Sequence, residues 1–321
     1  MINSFRQLLA PKLQVSLALQ GGGAHGAFTW GVLDRLLEEP SLDIAAVSGT
    51  SAGAVNAVAL AWGWCEGGRQ GARALLERVW QAIGQAGRGS AIGLGGVGAF
   101  ALDLALHLFS PYQLNPLRID PLRDLLVGLV DFAGLRRHCP MPLLIAATHV
   151  RTARCRLFRE HELTPEMVLA SACLPQIHHA VEIGGETYWD GGFSSNPPVV
   201  ALAKLARARR LLVIRINPAD LGDPPRRARD IRHRTAQLVF SRPLEDELAQ
   251  LATIRDMAKR SWALLQPQLA RLARLDLQIV DGDDTLAALD PATKLAADSE
   301  LIELLRQDGR VAAERWLRRA A

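Results

Sequence analysis

Apolar runs that end at glycine-rich turns dominate the N-terminal part of the chain. The run Val15–Leu19 ends at three glycines, and apolar residues at helical spacing follow it up to Pro40. A second run, Ile44–Val47, ends at a Ser-Gly pair, and Ala52–Trp62 is again rich in Ala and Val. Short strands that are apolar on both faces are typical of a parallel sheet covered by helices. The pattern therefore predicts an α/β fold.

The rest of the chain continues the alternation of strands and helices. Leu143–Val150 predicts a buried strand that pairs with Arg154–Arg159, and Thr164-Pro165-Glu166 has the cap, proline and acid of a helix start. Two short β-type runs around Gly184-Gly185 predict a tight hairpin. The later segments predict two further strands and two helical regions, namely Leu211–Ile216, Leu277–Val280, Leu244–Leu275 and Leu301–Leu317.

One long apolar stretch, Ala91–Phe109, contains a single formally charged residue, Asp103. Its length suits a transmembrane helix. Glycines crowd its first half, however, and Asp103 and His107 share one helical face of the second half, which predicts a loop followed by an amphipathic helix. Two interpretations stay open for residues 84–110: a buried core helix, and a lid over an apolar site.

Composition and charge exclude several classes of protein. The net charge is +4 and aromatic residues are 5% of the chain, whereas a nucleic-acid binder usually concentrates basic and aromatic residues on one face. The four cysteines form no C-x-x-C pair, which predicts reduced thiols and no metal site. The N-terminal apolar runs are too short for a signal peptide. We therefore expect a cytoplasmic protein.

Gly21-Gly22-Gly23-Ala24-His25-Gly26 matches the G-x-G-x-x-G pattern between a predicted strand and a predicted helix. In a dinucleotide-binding fold, such a loop binds pyrophosphate. That function also requires an acidic residue at the end of the next strand, to hold the ribose hydroxyls. Asp43 lies before that strand, at its wrong end, so a dinucleotide-binding redox protein is a disfavoured alternative.

Gly49-Thr50-Ser51-Ala52-Gly53 matches the G-x-S-x-G pattern of a nucleophile elbow after the second predicted strand. In this arrangement the serine hydroxyl is exposed at a sharp turn, and the following helix N-terminus favours a developing oxyanion. The alternative is a plain Ser-Gly turn. An α/β-hydrolase would also need a late catalytic histidine, but no histidine here stands in a recognisable catalytic signature.

Together with Asp190-Gly191-Gly192, these two motifs follow the order and spacing of three motifs in one family. The chain resembles a patatin-like phospholipase over roughly 13–204. The resemblance implies a three-layer sandwich, in which helices flank a mostly parallel central sheet. It also implies a catalytic domain at 13–204 and a mainly helical C-terminal extension at 205–321, packed on the same core.

The resemblance assigns roles to individual residues. Ser51 resembles the nucleophile and Asp190 the general base of a Ser-Asp dyad without a histidine relay, metal or cofactor. The oxyanion hole would be formed by the amides of Gly22, Gly23 and Ala52. His25 stands where many members of the family carry Lys or Arg, so the loop departs from the family pattern there. The remaining motif positions are all glycines, namely Gly21, Gly26, Gly49, Gly53, Gly191 and Gly192.

The physical requirement on the dyad is a basic carboxylate. An exposed Asp has a pKa near 3.9 and is a poor base, so Asp190 must lie close to Ser51 and be poorly solvated. The expected function is a phospholipase or lysophospholipase that works through an acyl-enzyme. Three alternatives stay open: hydrolysis of an intracellular polyester or other carboxylic ester, the dinucleotide-binding protein, and a catalytically silent membrane-binding module.

The expected partners are a phospholipid or other lipid ester and the surface of a membrane. The segment 204–234 carries ten basic and three acidic residues, which would attract anionic headgroups. The alternative for this segment is a solvated surface. The pattern contains no information on the oligomeric state.

Overall fold

The computed structural model describes residues 12–88, 110–115, 120–206, 208–260, 266–295 and 298–320. The strands are β1 (Leu13–Leu19), β2 (Leu42–Thr50), β3 (Leu143–His149), β4 (Cys155–Arg159), β5 (Val181–Ile183), β6 (Glu186–Asp190), β7 (Arg210–Arg215) and β8 (Asp276–Asp281). The helices are α1 (Gly26–Leu37), α2 (Ala52–Arg88), α3 (Pro111–Leu114), α4 (Pro121–Leu129), α5 (Phe132–His138), α6 (Pro165–Ser171), α7 (Val199–Leu205), α8 (Ala228–Arg260), α9 (Pro267–Ala273), α10 (Asp283–Ala288) and α11 (Ser299–Ala320). Short 3₁₀ turns lie at Gly23–His25, Gly191–Phe193 and Pro291–Leu295.

All eight strands belong to one mixed sheet in the order β5-β6-β3-β2-β1-β7-β8, with β4 paired to β3. The pairs among β3, β2, β1, β7 and β8 are parallel, and β4, β5 and β6 pair antiparallel. Strands β7 and β8 come from the C-terminal part of the chain, and β7 lies directly beside β1. The C-terminal part therefore contributes to the same central sheet as the predicted catalytic domain.

Helices cover both faces of the sheet, because side chains along each strand alternate between two hydrophobic clusters. On β1, Leu17 and Leu19 belong to the cluster beneath α1, α2 and α11. Ala18 belongs to the other cluster, which is completed by α7, α8 and α9. The predicted architecture of a central sheet between two helical layers is thus confirmed.

A buried carboxylate ties the C-terminal helix to α1. Asp34 of α1 forms ion pairs with Arg73 of α2 and with Arg306 and Arg310 of α11. A buried charge is tolerated only when it is paired, and here three guanidinium groups share one carboxylate. The last helix is therefore fixed to α1, the helix that follows the glycine-rich loop.

The predicted strands are confirmed, with ends that differ by a few residues. The extent of the helical region predicted at Leu244–Leu275 is wrong, because α8 begins earlier, at Ala228, and ends at Arg260, and α9 is a separate helix. Helix α2 is longer than predicted and is interrupted at Gly67 and Gly68, whose backbone angles are not helical. Most of the predicted lid at 84–110 lies outside the described residues. Among the residues that the structure describes, no helix is long and apolar enough to cross a membrane.

Candidate active site

The glycine-rich loop and Ser51 meet because they follow adjacent parallel strands. Strand β1 ends at Leu19, which pairs with Gly49 near the end of β2. The carboxyl ends of both strands therefore lie at one edge of the sheet. An ideal Cβ on Gly21 would lie 2.6 Å from the Thr50 carbonyl oxygen and 2.7 Å from the Ser51 Cβ. The loop can approach the serine this closely only because position 21 has no side chain.

Ser51 occupies a strained turn between β2 and α2. Its φ is 55°, in the left-handed region that residues other than glycine rarely adopt. A Cβ on Gly49 would lie 2.4 Å from the Gly53 carbonyl oxygen, and one on Gly53 would lie 2.2 Å from the Leu19 carbonyl oxygen. The backbone N–H of Ser51 donates to Ser171 Oγ at 2.9 Å. This is the geometry of a nucleophile elbow, as the G-x-S-x-G spacing predicts.

Asp190 reaches the same edge of the sheet from β6. Asp190 pairs with Ala147 of β3, and the neighbouring Ala146 pairs with Thr50 at the end of β2. A Cβ on Gly191 would lie 2.2 Å from the Ala146 carbonyl oxygen. The small residue after the aspartate thus allows its backbone to lie against β3 beside Ser51.

The Asp190 side chain is fully buried, and only one of its oxygens is hydrogen-bonded. Oδ1 accepts a bond of 2.7 Å from the Gly192 N–H. Oδ2 has no partner with full hydrogen-bond geometry in the described part of the chain. Burial raises the Asp190 pKa to about 7, against the opposing effects of hydrogen bonding from Gly192 and from the Ser51 side chain. A carboxyl with a pKa near neutrality is suited to general-base catalysis.

The glycine-rich loop offers unpaired amides beside Ser51. Within the described ranges, the backbone N–H groups of Gly22, Gly23 and Ala52 have no acceptor. The loop and the start of α2 are in contact, since a Cβ on Gly26 would lie 2.6 Å from the Ala52 Cβ. Backbone N–H groups without an acceptor beside a nucleophile are the donors that an oxyanion hole uses.

Two asparagines hold the peptide groups of Gly21. Asn196 Oδ1 accepts a bond of 2.7 Å from the Gly21 N–H. The Gly21 carbonyl oxygen accepts a bond of 3.1 Å from Asn217 Nδ2 and a longer one of 3.5 Å from Asn196 Nδ2. Neither asparagine was among the residues singled out from the sequence. Each precedes a proline, which is a turn signal but carries no indication of a contact with the loop.

His25 is buried and uncharged at neutral pH. Burial, with a further contribution from the charge of Lys294, lowers the His25 pKa to about 4. Its Nε2 lies 2.8 Å from Thr293 Oγ1, in the 3₁₀ turn Pro291–Leu295. None of the histidines in the described ranges hydrogen-bonds to Ser51. His149 interacts with Glu186, and His179 faces the backbone carbonyls of Pro111 and Asn115.

A family model described as Patatin-like phospholipase matches residues 17–203. This is more than half of the chain, and the protein belongs to the patatin-like phospholipase family. It is therefore a lipid acyl hydrolase. Family membership sets aside the dinucleotide-binding alternative for the first glycine motif.

The fold is also similar to solved structures at low sequence identity. VipD from Legionella pneumophila is 14% identical, with 96% of this chain and 67% of the VipD chain covered at a TM-score of 0.44. ExoU from Pseudomonas aeruginosa, in complex with SpcU, is 17% identical, with 95% of this chain covered at a TM-score of 0.35. The chain spans about half of that ExoU chain, since 53% of it is covered. No curated protein sequence matches the chain.

Proposed function

We propose that the protein hydrolyses ester bonds of phospholipids or lysophospholipids with Ser51 as the nucleophile and Asp190 as the general base. The observation that carries this proposal is the buried Asp190 carboxylate, whose Oδ2 lacks a formed hydrogen bond and whose pKa is raised to about 7 by burial. A base with one oxygen unsatisfied next to a strained serine is ready to take the hydroxyl proton.

The reaction has two steps. Asp190 accepts the Ser51 proton as Oγ attacks the ester carbonyl, and the leaving alcohol departs with a proton returned by Asp190. A water molecule, deprotonated by Asp190, then attacks the acyl-enzyme, and Asp190 returns the proton to Ser51 Oγ as the bond to the acyl group breaks and the fatty acid is released. In both steps the amides of Gly22, Gly23 and Ala52 stabilise the oxyanion, and each such donor typically contributes about 10²–10³ in kcat.

The proposal is tested by the release of fatty acid from phospholipid vesicles, measured by mass spectrometry. We expect the native chain to release fatty acid and Ser51→Ala to release none, with Ser41→Ala as the control because Ser41 is exposed and lies at the opposite end of β2 from Ser51. Hydrolysis of a short hydroxyalkanoate oligomer but not of vesicles would favour the polyester alternative. Folded native protein without activity on either substrate would favour the silent membrane-binding module.

We further propose that the enzyme is cytoplasmic and that it meets the membrane at the start of α8. Ile231, Leu238 and Val239 are exposed there, and their spacing places them on one face of the helix. The next residue, Phe240, packs against Gly192 beside the dyad, since a Cβ on Gly192 would lie 2.4 Å from its ring. An apolar face at this position would bring the active site to the lipid.

The charges that surround this face are consistent with an anionic surface. Arg226, Arg227 and Arg232 are exposed near the start of α8. Other basic residues of the 204–234 segment are engaged within the fold, because Arg215 pairs with Glu245 and Arg210 with Asp276. Near the start of α8, attraction to anionic lipid would come from Arg226, Arg227 and Arg232, at about 1 kcal/mol each.

Co-sedimentation with vesicles of phosphatidylglycerol and phosphatidylcholine tests the membrane surface. The pair Ile231→Ser and Leu238→Ser should weaken binding several-fold, whereas Val311→Ser, at an exposed position on α11, should not. Equal binding by the native chain, the double variant and Val311→Ser would show that another surface contacts the membrane.

A further inference from the structure

The 3₁₀ turn Pro291–Leu295 contacts the glycine-rich loop at two positions and contacts Asn217, which holds the Gly21 carbonyl, at a third. A Cβ on Gly23 would lie 2.2 Å from the Lys294 carbonyl oxygen, so the two backbones touch. Thr293 Oγ1 contacts His25 at 2.8 Å. The Lys294 ammonium donates to Asn217 Oδ1. A segment far from the three sequence motifs therefore supports the loop that contacts Ser51 through Gly21.

The hydrogen bond of the Lys294 ammonium goes to a neutral group, the side-chain amide of Asn217. Burial lowers the Lys294 pKa to about 8, which leaves the ammonium mostly charged at neutral pH. Burial of an unpaired charge is costly, and such groups are commonly found at functional sites. His25 is neutral, so Lys294 supplies a positive charge beside this loop, and that charge contributes to the lowered pKa of His25.

The ammonium determines which way the Asn217 side chain points. Lysine offers only donors, so it must face the amide oxygen of Asn217 and not the amide nitrogen. Nδ2 is thereby directed to the Gly21 carbonyl oxygen, to which it donates at 3.1 Å. Without the ammonium, the amide could rotate by half a turn and place its oxygen against the Gly21 oxygen, which is repulsive.

The Gly21 carbonyl in turn determines the direction of the Gly22 N–H. The two groups belong to one planar trans peptide, in which C=O and N–H point in opposite directions. When Asn217 holds the carbonyl on one side, the Gly22 N–H must point to the other. That N–H has no acceptor within the described part of the chain.

We propose that Lys294 is a positioning residue of the active site, which acts through Asn217 and the Gly21 carbonyl to aim the Gly22 N–H at the oxyanion. The proposal rests on the proposed function. Asn217 and Lys294 both lie outside residues 17–203, so the family-matched segment does not contain the whole active site.

The test is a double-mutant cycle on kcat and KM for a soluble short-chain ester. We expect Lys294→Met to lower kcat about tenfold or more with KM changed less than twofold, because a misaimed donor affects mainly the transition state. Lys259→Met is the matched control, since Lys259 is exposed on α8 and should retain native kcat. Asn217→Ala should lower kcat at least as much as Lys294→Met.

The double variant separates a positioning role from a direct one. If Lys294 acts through Asn217, the double variant has the kcat of Asn217→Ala alone, and losses that multiply would overturn the proposal. If Lys294→Met does not fold, Asn217→Asp replaces it, because this variant retains an acceptor for Lys294 but has no donor for Gly21. A native kcat in Asn217→Asp would also overturn the proposal that Lys294 acts through Asn217. An inactive native chain would instead contradict the proposed function.

Discussion

Gly21 lies directly against Ser51, with room for a hydrogen atom and nothing larger between the loop and the nucleophile. An ideal Cβ on Gly21 would stand 2.7 Å from the Ser51 Cβ and 3.1 Å from Asn196 Oδ1. The first glycine of the loop is therefore required by the approach of two backbones and not by a turn. The spacing between the nucleophile and the loop amides depends on this contact.

Gly21→Ala should lower kcat on a soluble ester by about 10² or more, because the added methyl group must separate the loop from Ser51. KM should change much less. Gly128→Ala is the control, since a Cβ at this position in α4 meets no other atom within 4 Å. Steady-state kinetics on both variants checks the prediction, which fails if Gly21→Ala has the kcat of the control.

The elbow should store backbone strain at Ser51, whose φ is 55°. Both Ser51→Ala and Ser51→Gly remove the nucleophile, but glycine adopts this conformation without the clash of a Cβ. We expect the glycine variant to be more stable to unfolding by about 0.5–1 kcal/mol, after allowance for the greater freedom of glycine in the unfolded chain. Urea denaturation measures the difference. A more stable alanine variant would show that the turn is not strained.

Activity should depend on the protonation of Asp190. The general base must be deprotonated, and burial raises its pKa to about 7. The kcat/KM for a soluble ester should therefore rise with pH through about 7 and level off above it, because this ratio reports the pKa of the free enzyme. A pH profile between 5 and 9 checks this. A rise centred near pH 4 would mean that the working carboxylate is solvated.

Asp190→Asn should increase stability while it removes activity. The pKa of Asp190 is about 7 in the folded chain against 3.8 for an ordinary aspartate. Between these values the folded state binds more protons than the unfolded state, so native stability falls as pH rises from about 4 to about 7. Asparagine does not titrate, and its advantage over the native chain should grow to a few kcal/mol at pH 8.

Thermal unfolding of Asp190→Asn and the native chain at pH 5 and pH 8 measures this difference. Asp256→Asn is the control, because Asp256 is exposed on α8. A stability advantage of Asp190→Asn that is equal at both pH values would contradict a raised pKa.

Much of the fold follows from local pattern. The strands β1 and β2 and the hairpin β5–β6 were predictable because short apolar runs end at glycine-containing turn signals. The interruption of α2 at Gly67 and Gly68 was not predicted, although two adjacent glycines are themselves a turn signal. Strand β7 was recognisable as a strand, but its place beside β1 depends on tertiary packing. The boundary between 204 and 205 stays a prediction.

The candidate site also consists of residues that the sequence predicts and residues that only the structure reveals. Ser51, Asp190 and the glycines are adjacent to distinctive neighbours in the chain, and so they form motifs. Asn217 and Lys294 are 77 residues apart, and Gly21 and Asn196 are 175 apart. Contacts over such separations are created by the order of the strands, and a single sequence carries no local signal of them. The residues that hold the loop in place could therefore be found only from the structure.

Reaction with a fluorophosphonate probe, followed by peptide mapping, tests the central claim most directly. The account predicts one adduct, on Ser51, in the native chain, no adduct in Ser51→Ala, and labelling in Asp190→Asn that is slower by orders of magnitude. An adduct on another residue, or labelling of Asp190→Asn at the native rate, would contradict the Ser51-Asp190 dyad.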